Sequence, residues 1–106
     1  MAAMSEPDPA DLAEVLASVI KAVPGVIRLD GGSLGEVATY LPGRRVIGIR
    51  ISPGGTDVHL VADQDADLRG VAERVHREVA RIAPPPVHVF IDDVAPVTSS
   101  SPLKEL

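Results

Sequence analysis

The chain contains no cysteine and no tryptophan, and its only aromatic residues are Tyr40 and Phe90. Without cysteine there is no disulfide, no thiolate metal site and no cysteine nucleophile, so non-covalent packing alone must hold the fold. With two aromatic rings, the chain is poorly equipped to stack bases as sequence-tolerant single-strand binders do. Lysine is also scarce, two against eight arginines, and the net charge of −5 repels a phosphate backbone over the surface as a whole. No apolar run approaches the roughly 18 residues of a membrane-spanning helix. Residues Met1 to Pro9 lack the basic start and apolar stretch of a secretory signal, and a cytoplasmic location is therefore expected.

What is present is aliphatic: 45% of the 106 residues are hydrophobic, enough for one small core and too few for two. The pattern predicts a flexible lead over residues 1–8, one domain over 9–95 and a flexible tail over 96–106. Asp8 caps and Pro9 opens a first helix, whose stripe is Leu12, Val15, Leu16, Val19 and Val23 with Ile20 widening it; Pro24-Gly25 ends it. A short strand follows over Val26 to Asp30, then a Gly-rich loop, then Glu36 to Leu41, which reads as an edge strand in preference to one helical turn before Pro42-Gly43.

The centre of the chain reads as a β-hairpin. Val46 to Ile51 and Thr56 to Ala62 alternate with a period of two about Ser52-Pro53-Gly54-Gly55, which places Ile47, Ile49 and Ile51 together on one face. A second helix is predicted from Ala66 to about Ile82, capped by Asp65, with Leu68, Val71, Ala72, Val75, Val79 and Ile82 inward. Pro84 to Pro86 end it, and a last strand spans Val87 to Val94. The expected fold is α+β: a mixed sheet of three to five strands with two helices packed on one face.

Few motifs carry chemistry. Gly32-Ser33-Leu34-Gly35 matches the GxxG loop that clamps RNA in KH domains, and Arg44 and Arg45 would supply cations to it. That loop follows a strand, however, and lies between Asp30 and Glu36. Asp63, Asp65 and Asp67 imitate the start of a calcium loop, but Leu68 and Arg74 stand where glycine and glutamate are required. His59, His76 and His88 have no i, i+4 spacing, so a metal site there would need His59 and His88 to meet across strands. No serine has a nucleophile-elbow setting. No catalytic residue, metal ligand or cofactor is nominated.

The outer sheet face is more informative. Phe90, Val61, Val46 and Tyr40, interleaved with Arg28, Arg50, His59 and His88, are expected to form a half-apolar, half-polar surface of the composition that suits a protein interface.

Several phrases also resemble a known family. Ala22-Val23-Pro24-Gly25-Val26, Val46-Ile47-Gly48-Ile49-Arg50-Ile51, the strand Val58 to Ala62, the helix Val71 to Ile82 and Val87-His88-Val89-Phe90-Ile91-Asp92-Asp93-Val94 are similar to the alkaline shock protein family of envelope stress response proteins. Gly35 to Arg45 resembles the stretch that actinobacterial members carry before the hairpin. The resemblance implies a non-enzymatic protein that self-associates as a homo-oligomer and can be held beneath the cell membrane by a membrane-anchored partner. Between hairpin and second helix, Ala62-Asp63-Gln64-Asp65-Ala66-Asp67-Leu68 departs from the family's Tyr-Gly and Ile-Pro-Glu-Val, which bears on partner choice. The alternative is a KH-like RNA-binding module built on Gly32, Gly35, Arg44 and Arg45.

Overall fold

The computed structural model describes residues 9–32 and 37–97. Its elements are α1 (Pro9–Lys21), β1 (Val26–Leu29), β2 (Ala38–Leu41), β3 (Arg44–Ile47), β4 (Ile49–Ser52), β5 (Gly55–Asp63), α2 (Leu68–Ala80) and β6 (Val87–Ala95). The α+β class is as expected. The lead over residues 1–8, with the expected cap Asp8, lies outside the described residues, as does the tail from residue 98.

β5 is the axis of the main sheet. On one side β6 runs parallel to it from Thr56 against Val87 to Asp63 against Ala95. On the other side two short antiparallel strands lie end to end: β4 pairs Val58 through Gly55, and β1 pairs Leu60 through Ala62. Parallel neighbours need a crossover, and α2 supplies it between β5 and β6. β2 and β3 form a separate two-stranded ribbon, with Tyr40 opposite Arg45. The ribbon is tied to the sheet where the Thr39 hydroxyl donates to the Ile49 carbonyl at 2.6 Å.

Both helices cover the same face. Ala13, Leu16, Ala17 and Ile20 of α1 and Val71, Val75 and Val79 of α2 form one buried cluster with Ile49, Val58, Leu60, Ala62 and Val87. Each large aliphatic side chain in it gains about 1.5–3 kcal/mol from leaving water. The buried stripe of α1 is rotated from the expected one. It centres on Ala13 and Ala17, whose small side chains let the helix approach the strands, and Val15 is left half exposed.

The isoleucine face also differs. The predicted single arm Val46 to Ile51 is two strands broken at Gly48, which adopts φ +88°. One residue inserted into a period of two exchanges the faces. Ile49 is therefore fully buried and Ile51 packs against the core, whereas Ile47 turns outward at 41% exposure and Val46 takes the inward place.

Two helix limits are shorter than predicted. Asp67, not Asp65, caps α2: its Oδ1 accepts from the Gly70 amide at 3.2 Å. Asp65 instead donates its amide to Asp63 Oδ1 in a turn that precedes the helix. After α2, the proline connector is anchored to β5. Thr56, fully buried, donates its amide to Pro86 O at 2.9 Å and its hydroxyl to Pro84 O at 3.0 Å.

Candidate interaction face

On β5 and β6, side chains that alternate with the core residues point away from the helices. Register sets Asp57 beside His88 and His59 beside Phe90. The sequence places His59 and His88 on this face, and the structure agrees. Its geometry adds two aspartates that composition alone did not single out. His59 Nδ1 lies 2.8 Å from Asp92 Oδ2, and His88 Nδ1 lies 3.1 Å from Asp57 Oδ1. The His59 ring stacks on Phe90, with centroids 4.4 Å apart and planes inclined by 21°. His88 approaches the same ring at 6.4 Å. Phe90 is thus flanked by two imidazoles, each held by a carboxylate, and remains 43% exposed.

Asp92 lies two residues beyond Phe90, on the same face of β6, and stands at a bulge. Leu60 pairs with Ile91 and the next residue, Val61, pairs with Asp93, so Asp92 is the additional residue on β6. The spacing Asp57-x-His59 and His88-x-Phe90-x-Asp92 was a visible signal for these pairs once the two strands were taken as neighbours.

The other expected face residues separate. Arg50 is exposed on β4, opposite Asp57. Val61 is 1% exposed and cannot serve as a contact residue. It is buried without belonging to the helix-covered cluster, since it occupies the opposite parity to Leu60 and Ala62 on β5. Tyr40 is 67% exposed but belongs to the β2–β3 ribbon rather than to the main sheet.

Of the alternative nucleic-acid set, Gly35 lies outside the described residues. Gly32 donates its amide to Asp30 Oδ2 at 3.0 Å, so a carboxylate occupies the amide a phosphate would need. Arg44 opens β3, and Arg45 stands exposed on the same strand. Among the described residues no group of three or more histidines and carboxylates is placed to hold a metal ion. His59 and His88 each face a separate aspartate, with Phe90 between them. No hydroxyl of a described residue is hydrogen-bonded to either imidazole.

A second concave feature lies at the far side of β1. A cleft of about 620 Å³ opens between α1, β1 and β3, lined by Lys21, Arg28, Arg45, Leu29 and Ile47 among others. No helix among the described residues is long and apolar enough to cross a membrane.

Neither family models, nor curated proteins, nor solved structures yield a match to this chain.

Proposed function

We propose that this chain is a non-enzymatic, self-associating interaction protein, which joins a second copy of itself through the Phe90 face and the edge of β6 away from β5. The observation that carries the reading is Phe90, an exposed aromatic on a strand whose pairing among the described strands is with β5 alone. An unpaired edge offers a row of backbone donors and acceptors, and strand addition uses them.

The β6 sequence is self-complementary about Phe90. In an antiparallel pairing with a two-fold axis at that residue, Phe90 meets Phe90, Val89 meets Ile91, and His88 of one copy meets Asp92 of the other. The intramolecular contacts leave those partners in place for it. His88 uses Nδ1 toward Asp57, leaving Nε2; Asp92 uses Oδ2 toward His59, leaving Oδ1. The Asp92 bulge and Asp93 end regular pairing beyond that point, which limits the edge to a short stretch and opposes open-ended fibres.

By its resemblance to the alkaline shock protein family, the assembly belongs to an envelope stress response beneath the cell membrane, held there by a membrane-anchored partner. Sedimentation velocity on the wild-type chain, Phe90→Glu and Val15→Glu tests the self-association. The wild type and Val15→Glu should sediment as oligomers and Phe90→Glu as a monomer. A monomeric wild type, or an unchanged Phe90→Glu, would overturn it. For the cellular role, a tagged chain should co-purify with a membrane protein from its host, and recovery from the soluble fraction alone would count against it.

A further inference from the structure

The cleft between α1, β1 and β3 concentrates positive charge in an acidic chain. Lys21 closes the last turn of α1, Arg28 stands on β1 and Arg45 on β3, and all three are exposed. None of them is in an ion pair or hydrogen bond with a described residue. Glu14 is the one carboxylate in the lining, and it has a polar partner of its own. Three cations thus line one cleft, none of them paired with a carboxylate among the described residues, in a chain of net charge −5.

Apart from Ser18, the rest of the lining is aliphatic. Ala17, Leu29, Val46 and Ile47 form the walls. Ile47 is there because the Gly48 insertion turns it out of the core, so the fold leaves an exposed isoleucine where only the cleft uses it. A volume of about 620 Å³ is in the range of small-ligand sites, which combine apolar walls with a few convergent charges.

We propose that this cleft binds a phosphomonoester carried on an aliphatic body, with Arg28 and Arg45 as bidentate donors to the phosphate and Lys21 as a further cation. Arginine's planar fork matches phosphate oxygens, and a phosphomonoester carries −1.5 to −2 charges near neutral pH, which matches a site of three cations and one carboxylate. No aromatic side chain lines the cleft, so the wall suits an alkyl chain and offers no stacking surface for a nucleobase.

The site is separate from the Phe90 face, and its test does not depend on self-association. Two-dimensional amide NMR would follow the wild-type chain titrated with hexyl phosphate, inorganic phosphate and hexanol. Saturable shifts confined to α1, β1 and β3 are expected with hexyl phosphate, at a Kd of about 1 mM or tighter. Hexyl phosphate should bind at least about tenfold more tightly than either half, since burying two methylenes suffices for that factor. The Arg28→Gln/Arg45→Gln variant should weaken it by a further factor of about ten or more while keeping its spectrum dispersed. Vesicles of phosphatidylcholine with and without phosphatidic acid distinguish the sources. Arginine-dependent binding to the acidic vesicles assigns a lipid headgroup, and binding of the soluble ester alone assigns a free metabolite. Absence of saturable shifts, equal binding of inorganic phosphate, or undiminished affinity in the double variant would overturn the proposal. So would tighter binding of an RNA oligonucleotide at the same residues.

Discussion

Gly48 lies hard against His59: the His59 amide donates to the Gly48 carbonyl at 2.8 Å, at the point where β4 ends and β1 takes over beside β5. The Asp30 amide donates to the His59 carbonyl at 2.9 Å, so His59 bridges the two short strands through its backbone while its ring stacks on Phe90. The residue that exchanges the faces of the hairpin arm is therefore the one that lets two strands share one side of β5.

A side chain at Gly48 should not be tolerated. A Cβ there would meet His59 O at 2.8 Å, the Leu29 Cβ at 2.9 Å and Asp30 N at 3.0 Å, at φ +88°. The left-handed backbone and the backbone clash together should make Gly48→Ala cost about 2–4 kcal/mol. Gly43, at φ +76° with nothing within 4 Å, carries only the first cost, and Gly43→Ala should lose about 1 kcal/mol. Urea midpoints of the two variants should differ in that order; equal losses would mean that the close approach at Gly48 is not real.

The exchange of faces predicts unequal isoleucines. Ile49 is fully buried and Ile47 is 41% exposed. Ile49→Ala should cost about 2–5 kcal/mol, and Ile47→Ala under about 1 kcal/mol. Chemical denaturation reads both, and a reversed order would restore the uninterrupted arm that alternation alone suggests.

The cap of α2 should respond at one aspartate only. Asp67→Ala removes the acceptor of the Gly70 amide and should cost about 1 kcal/mol. Asp65→Ala leaves that bond intact and should lose less than half as much. Comparable losses in thermal unfolding would return the cap to Asp65.

Thr56 anchors the proline connector from a fully buried position. Thr56→Val keeps the shape, removes the hydroxyl donated to Pro84 O and should destabilise by about 1–2 kcal/mol, with faster amide hydrogen exchange in β6 than in α1. A change below about 0.3 kcal/mol in urea unfolding would show that water replaces the bond.

The amphipathic helices, the hairpin about Pro53-Gly54 and the last strand were legible because each rests on local spacing and on turn chemistry that needs no partner. Alternation also set His59, His88 and Phe90 opposite the core. The limits of α2 were misplaced because Asp63, Asp65 and Asp67 are equivalent acceptors until the chain direction chooses one. Phe90 and the two histidines stand on the outer face as alternation places them, whereas Val61, of the same parity, is buried, because period two cannot tell an exposed face from a second buried one.

Asp92 as partner of His59, and Lys21, Arg28 and Arg45 as one cationic cleft, depend on which strands become neighbours. Local periodicity settles which residues have an inward and an outward side, since it follows from backbone geometry within a few residues. The break at Gly48 sits where β4 and β1 meet beside β5, and the contact of Asp92 with His59 needs β6 beside β5. That is why the outward turn of Ile47 and the reach of Asp92 to His59 belong to the assembled sheet.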